Sequence, residues 1–115
     1  MHVAILTFDG FNELDSLIAL GILNRMKVPG WRVSIASPTE RVRSMNGVVM
    51  EAQATIADAL TADAVLVGSG VRTREVVEDA ALMAQLKGLG TGSQLLGAQC
   101  SGTLVLARLG LLAGV

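Results

Sequence analysis

The sequence has few of the features that mark secreted, membrane or nucleic-acid-binding proteins. Its one cysteine in 115 residues cannot form an internal disulfide, and no charged segment followed by an apolar one opens the chain, so we expect a cytoplasmic location. Nine basic and ten acidic residues give a net charge of -1, which argues against a nucleic-acid partner. The longest uncharged stretch lies between Lys87 and Arg108, and its glycine and polar residues argue against a membrane span.

Aromatic residues are also scarce. They form 3% of the chain, whereas hydrophobic residues form 51% and the mean hydropathy is +0.56. Such a core of Val, Leu, Ile and Ala is typical of a parallel sheet with helices on both faces. The length fits one domain, residues 1–115. Because the last helix is apolar on most faces and nothing follows to cover it, we expect this domain to be incomplete at its C-terminus.

Apolar runs alternate with amphipathic segments along the chain. Buried strands are predicted at 3–8, 31–37, 64–67 and 94–99, and helices at about 13–26, 75–87 and 103–112. The first helix has apolar residues at helical spacing, namely Leu14, Leu17, Ile18, Ile22 and Met26. Asn46-Gly47 between two short extended segments predicts a small β-hairpin. The pattern predicts a doubly wound, flavodoxin-like α/β fold, with a mostly parallel sheet, helices on both faces and this hairpin.

Cys100 is the strongest candidate for a catalytic residue, because it lies between the last predicted strand and the last helix. Ala98 and Gly102 flank it two positions away on either side. Small residues are needed there in a nucleophile elbow, where larger side chains would collide around a strained backbone. The start of a helix also favours a thiolate, and the Ser101 N–H could hold an oxyanion. The alternative is an unreactive core cysteine, which the small residues around Cys100 disfavour.

Candidate partners for the thiol lie in loops after other strands, because functional groups gather beyond the carboxyl ends of parallel strands. Asp15 is the acid nearest to a strand tip, and it either is catalytic or completes a capping box with Asn12. Gly70 either donates its N–H to an oxyanion or only ends a strand; Glu13 is a candidate substrate-binding residue. The single histidine, His2, precedes the first strand. It lies about 20 Å from the predicted site at about 3.3 Å per residue, so a carboxylate must act as base unless a histidine outside this sequence does.

Three motifs resemble the ThiJ/PfpI superfamily, which has the class I glutamine amidotransferase-like fold, and the resemblance covers essentially the whole chain. They are FDGFNELD at 8–15, AVLVGSG at 64–70, and QCSGTLVLA at 99–107 followed by LGLLAG at 109–114. The Leu14-Asp15 pair and the hydroxyl residue after cysteine are most similar to isonitrile hydratases and to sensor-like domains of AraC-type regulators. For hydratases, the resemblance implies a site made of Cys100, Asp15 and Ser101. Relatives often carry Pro-Gly-Gly where this chain has residues 68–70, and they extend well past its length.

The residues and the resemblance together predict a cysteine-dependent hydratase or hydrolase of a small electrophilic substrate. The resemblance implies the conversion of an isonitrile to an N-substituted formamide, with no metal and no organic cofactor. It also implies a homodimer, and the hairpin is expected to help pair the two chains. Two alternatives stay open: a non-catalytic ligand-sensing domain of an AraC-type regulator, and a thiol-based stress or glyoxalase-like protein.

Overall fold

A computed structural model of the chain describes residues 1–111. Four parallel strands form one sheet in the order β2-β1-β5-β6. These strands are β1 His2–Leu6, β2 Arg32–Ala36, β5 Ala64–Val67 and β6 Leu95–Ala98, and an antiparallel ribbon consists of β3 Arg41–Arg43 and β4 Val49–Glu51. The helices are α1 Glu13–Leu23, α2 Ile56–Leu60, α3 Thr73–Glu78, α4 Ala80–Gln85 and α5 Thr103–Arg108. The predicted α/β fold with a parallel sheet and a small hairpin is confirmed.

The sheet has a helical layer on each face, because alternate strand residues point to opposite sides. On one face, Val3, Ile5, Val33 and Ile35 pack against α1 through Ala19, Leu20 and Leu23. On the other face, Ala4, Leu6, Val65 and Val67 pack against residues of α2, α3, α4 and α5. The strand order reverses between β1 and β5, and in such folds the crevice at the carboxyl ends of those two strands binds ligands.

Several predicted boundaries were wrong by a few residues. β1 ends at Leu6 rather than at residue 8, and α1 ends at Leu23 rather than near Met26, with Asn24 as its C-cap. The single helix predicted at 75–87 is two helices that meet at Asp79, whose backbone is extended and whose side chain accepts from the Leu82 N–H. The last helix was predicted to reach Leu112, but α5 ends at Arg108, and residues 112–115 lie outside the described part of the chain.

The apolar stripe predicted on α1 points away from the sheet. Leu14, Ile18 and Ile22 expose 66%, 56% and 61% of their surface, whereas Ser16 is fully buried. The helix therefore packs on the sheet through its other side, which carries Ser16, Ala19, Leu20 and Leu23, and the predicted stripe forms an outer surface. Among residues 1–111, no helix is long and apolar enough to cross a membrane.

The β3-β4 ribbon packs beside the loop that follows β1. Gly47, at the ribbon's turn, has a φ of 85°, as the Asn-Gly signal requires. The Gly10 N–H donates to the Arg43 carbonyl at 2.7 Å, and the Met45 N–H donates to the Phe11 carbonyl at 2.8 Å. The ribbon thus holds one side of the loop that leads into α1.

Candidate active site

Cys100 occupies a sharp turn between β6 and α5. Its φ of 48° is the only positive φ at a non-glycine residue among the described residues, and its side chain is exposed. A side chain at Gly102 would place its Cβ 2.4 Å from the Val67 carbonyl oxygen, so glycine is required where the turn passes β5. A strained, exposed residue between strand and helix, with a glycine two positions later, has the geometry of a nucleophile elbow.

Asp15 is held beside this turn by two hydrogen bonds. Ser69, in the loop after β5, donates its hydroxyl to Asp15 Oδ2 at 2.5 Å. The side-chain amide of Gln99, the residue before Cys100, donates to the Asp15 backbone carbonyl at 3.0 Å. The first turn of α1 is therefore attached to the loops that follow β5 and β6. The second attachment is to Gln99, which directly precedes Cys100 in the sequence.

The capping box considered for Asp15 is not formed. Asn12 is the N-cap of α1, and its side chain accepts from the Leu14 N–H at 3.0 Å. The Asn12 N–H donates to the Ser69 carbonyl at 2.8 Å instead of to Asp15. The Asp15 carboxylate therefore does not cap α1, and helix capping does not explain why an acid is present at this position.

Gly70 and Ser101 meet at the same edge of the sheet. The Gly70 N–H, a candidate oxyanion donor from the sequence, donates to the Ser101 hydroxyl at 3.2 Å. Thr73 lies 2.8 Å from the Ser101 hydroxyl and donates to the Gly70 carbonyl at 3.0 Å. A side chain at Gly70 would place its Cβ 2.7 Å from the Gly10 carbonyl oxygen. Residue 70 is therefore enclosed between the loop after β1 and the elbow.

Glu13, the candidate substrate-binding residue, has both carboxylate oxygens engaged by the ribbon. Its Oε2 accepts a short hydrogen bond from the Ser44 hydroxyl, and its Oε1 accepts from the Asn46 side-chain amide at 2.7 Å. The Ser44 hydroxyl is the main cause, and Asn46 a further one, of a pKa below the ordinary range for Glu13. In this structure Glu13 fastens the ribbon to the start of α1.

His2 lies at the opposite end of β1, as predicted, and so is remote from Cys100. Its Nε2 lies 2.7 Å from the Ser34 hydroxyl, and Arg32 lies 3.1 Å from its Nδ1. Burial, followed by the positive charge of Arg32, lowers the pKa of His2. No group of three His, Cys, Asp or Glu side chains within residues 1–111 is arranged to hold a metal ion.

Sequence reasoning gave no role to three polar side chains at this edge: Ser69, Thr73 and Gln99. All three lie in or next to the loops after β5 and β6. Their position beyond the carboxyl ends of parallel strands was the feature of the sequence from which a role at the site could have been predicted. Two polar atoms beside Asp15, Ser16 Oγ and Gln99 Oε1, are buried without a hydrogen-bond partner among the described residues. Unpaired buried polar atoms are rare in folded proteins, and here they lie next to the candidate site.

A parallel α/β sheet with an exposed cysteine on a strained strand-to-helix turn defines a class of proteins that carry a nucleophile on that turn. Within this class, the chain belongs to the DJ-1/PfpI family, whose model matches residues 1–115. The family includes cysteine-based hydrolases and hydratases as well as stress-response proteins. No curated protein matches the chain.

Solved structures of the family are similar over nearly the whole chain. Toxoplasma gondii DJ-1, in an oxidised form, is 28% identical with a TM-score of 0.79, over 98% of this chain and 63% of that one. A ThiJ/PfpI family protein from Pseudomonas syringae is 23% identical with a TM-score of 0.82, over 98% and 47%. Drosophila melanogaster DJ-1beta is 22% identical with a TM-score of 0.78, over 96% and 61%. The chain thus spans less than two thirds of the length of these relatives.

Proposed function

We propose that the protein is a cysteine-dependent hydratase that converts an isonitrile to an N-substituted formamide. The observation that carries this proposal is the attachment of Asp15 to Gln99, the residue before Cys100, and to Ser69 in the loop after β5. A nucleophile needs a proton-transferring partner held within reach. Because His2 is remote from Cys100, Asp15 is the group assigned to that task.

The proposed reaction adds water to R–N≡C and yields R–NH–CHO. The Cys100 thiolate forms a bond to the isonitrile carbon while the Asp15 carboxyl group gives that carbon a proton, which produces a thioimidate. Water then adds to the same carbon, and the Asp15 carboxylate passes a water proton to the nitrogen. Cleavage of the C–S bond leaves the formamide and the thiolate, and the hydroxyl proton returns to Asp15. The proton returned to Asp15 replaces the one that Asp15 gave to the carbon, so the net reaction adds one water to the isonitrile and needs no oxidant or reductant.

Backbone N–H groups of Gly70 and Ser101 are the proposed donors to the oxygen of the tetrahedral intermediate, which becomes negative as its proton moves to Asp15 and before the C–S bond breaks. Such donors are effective when they are fixed before the reaction starts. The Gly70 N–H donates to the Ser101 hydroxyl in this structure, so a substrate oxygen would replace that hydroxyl as its acceptor. Ser101 would then have two roles: its backbone N–H donates to the substrate oxygen, and its hydroxyl releases the Gly70 N–H so that this group can donate to the same oxygen.

Formation of N-cyclohexylformamide from cyclohexyl isocyanide tests the proposal. We expect turnover by the unaltered protein, none by Cys100→Ser, and a loss of about a hundredfold or more in kcat for Asp15→Asn, since positioned proton transfer contributes about 10²–10⁴-fold. Asp79→Asn is the matched control, because Asp79 caps α4 away from the elbow and its loss should leave turnover unchanged. Formamide formation by Cys100→Ser, or none by the unaltered protein, would refute the proposal.

A second candidate function is reversible oxidation of Cys100 in a stress response. The exposure of the thiol favours it, since oxidation selects accessible cysteines, and the similar Toxoplasma gondii DJ-1 is described in an oxidised form. Treatment with hydrogen peroxide and intact-mass measurement would then show added oxygen that Cys100→Ser does not acquire. A protein that is oxidised in this way but does not hydrate isonitriles fits this candidate; one that does neither fits the ligand-sensing alternative.

A further inference from the structure

Gly70 has a backbone edge that faces the elbow and carries no strand partner there. On its other side, residue 70 pairs with Phe11 in an antiparallel bridge, through the Asn12 N–H to the Ser69 carbonyl and the Val71 N–H to the Gly10 carbonyl. The N–H and carbonyl of Gly70 itself therefore point away from that bridge. Two hydroxyl groups satisfy them, one from Ser101 and one from Thr73.

The two hydroxyl groups differ in their distances to Gly70. Ser101 Oγ lies 3.2 Å from both the Gly70 nitrogen and the Gly70 carbonyl oxygen, near the long limit for such bonds. Thr73 Oγ1 lies 3.0 Å from the Gly70 oxygen and 2.8 Å from Ser101 Oγ. The shorter contacts are those of Thr73.

All three protons can be placed in one closed ring. The Gly70 N–H donates to Ser101, the Ser101 hydroxyl donates to Thr73, and the Thr73 hydroxyl donates to the Gly70 carbonyl. Each oxygen accepts once and each proton is used once, so no member is left unpaired. Thr73 is the member that lies outside the elbow and the glycine turn, and it is buried at the start of α3.

We propose that Thr73 is a positioning residue, which fixes the Gly70 peptide and the Ser101 hydroxyl so that the Gly70 N–H is aimed at the elbow. While the Gly70 N–H is engaged by a substrate oxygen, Thr73 remains the partner of the Ser101 hydroxyl. The role of the N–H as an oxyanion donor rests on the proposed function, whereas the fixing of Gly70 by Thr73 is measurable without any substrate.

A threonine hydroxyl that bonds the carbonyl three residues earlier is in itself a common local motif. Thr91 makes the same local bond, to the Gly88 carbonyl at 3.1 Å, at an exposed position. Thr73 differs because its hydroxyl also reaches Ser101, 28 residues further along the chain. Thr91→Val therefore removes an equivalent local bond without touching the ring, and it is the control for Thr73→Val.

Amide hydrogen exchange at Gly70 and Val65, followed by NMR, tests the proposal. Thr73→Val keeps the side-chain shape and removes the hydroxyl; it should speed exchange at Gly70 by about five- to tenfold relative to Val65 in the core of β5. Thr73→Ser restores a hydroxyl and should return the Gly70 rate to within about twofold of the unaltered protein. Thr91→Val should change neither amide.

Two results would overturn the assignment: an unchanged Gly70 rate in Thr73→Val, or equal acceleration at Gly70 and Val65, which would mean only a general loss of stability. If Thr73→Val does not fold, Thr73→Ala decides the question, because it removes the same hydroxyl with a smaller side chain and should accelerate Gly70 in the same selective way. Since no substrate enters these measurements, a failure of isonitrile hydration leaves their result intact.

Discussion

At the scale of single residues, Cys100 has a backbone conformation that L side chains rarely adopt, with a φ of 48°. Such strain persists where the surrounding structure imposes it, and it is common at functional sites. Cys100→Gly and Cys100→Ser both remove the thiol, but only glycine relieves the strain. We therefore expect Cys100→Gly to exceed Cys100→Ser in free energy of unfolding by roughly 0.5–1 kcal/mol, after the greater flexibility of unfolded glycine is included.

Urea denaturation of the two variants measures this difference. Equal stability, or a less stable Cys100→Gly, would show that the turn is not strained at this residue. Neither variant should hydrate an isonitrile, so activity serves as a check that the thiol is gone rather than as the readout.

His2 should make the stability of the protein depend on pH. Burial and the neighbouring Arg32 lower the pKa of His2 in the folded state, against an opposing effect of Asp58 and Asp63. The unfolded chain then binds the proton at a higher pH than the folded one, so stability is fully present above about pH 6.5 and is lost as the pH falls through the lower folded pKa.

The expected result is a larger loss of stability between about pH 7.5 and pH 5 in the unaltered protein than in His2→Gln, which cannot titrate there. Urea midpoints at the two pH values give this comparison. An equal loss in both proteins would assign the pH dependence to groups other than His2. Glu13 does not enter this comparison, because its pKa is lowered by the Ser44 hydroxyl and its contribution is lost only at more acidic pH.

At the level of secondary-structure elements, two glycines differ in whether the structure has room for a side chain. Gly21 lies inside α1, and a Cβ there would have no atom within 4 Å. A Cβ at Gly102 would lie 2.4 Å from the Val67 carbonyl oxygen and 2.8 Å from that of Gly68. Gly21→Ala should stabilise the protein by roughly 0.5–1 kcal/mol through helix propensity, and Gly102→Ala should destabilise it by about 2 kcal/mol or more through overpacking.

Thermal unfolding of both variants checks this pair. Gly21→Ala is the control for the general effect of adding a methyl group to a glycine, so only the difference between the two sites reports on the close approach of the elbow to β5. A tolerated alanine at residue 102 would mean that the elbow can move away from the sheet.

Helices and strands were predicted well where a local sequence pattern determines them. They were predicted less well where a hydrogen bond of one side chain determines where a helix begins or ends. Three of the parallel strands, β1, β5 and β6, were recognised because a strand buried on both faces is apolar throughout, and β2 was recognised because apolar and polar residues alternate along it. The break between α3 and α4 was missed because Asp79 reads as one of several acids near a helix start, whereas in the structure its side chain caps a second helix at the Leu82 N–H. The break became visible only from that hydrogen bond.

At the scale of the whole molecule, large apolar side chains on α1 and on the ribbon are exposed. They include Leu14, Ile18 and Ile22 on the helix, and Met45, Val48 and Val49 on the ribbon. Glu13 joins the two elements through Ser44 and Asn46, so these side chains belong to neighbouring parts of the surface. Exposed apolar surface of this kind marks an interaction site, and we expect it to pair two copies of the chain.

Light scattering after size exclusion should therefore give the mass of a dimer. Ile18→Glu places a charge in the middle of the α1 surface and should shift the protein to monomer, because an unpaired charge in an apolar interface is costly. Leu104→Glu is the control, since Leu104 is exposed on α5 and lies outside that surface. A monomeric unaltered protein at high concentration would contradict the prediction.

The fold class, the cysteine turn and the residue types at the candidate site could be predicted from the amino-acid sequence. These follow from patterns within a few residues: apolar runs for buried strands, Asn-Gly for the ribbon, and small residues on either side of Cys100. These patterns can be recognised in the sequence because they act through backbone geometry or burial, which residues close in sequence largely determine.

The side of α1 that faces the sheet and the partners of the site residues depend on contacts between distant parts of the chain. Apolar residues lie on both sides of α1: Ala19, Leu20 and Leu23 pack against the sheet beside the buried Ser16, whereas Leu14, Ile18 and Ile22 face outward. The bonds that place Asp15, Gly70 and Ser101 join residues 54, 84 and 31 positions apart. No local pattern encodes such contacts, because they arise when parallel strands bring the loops at their carboxyl ends to one edge of the sheet.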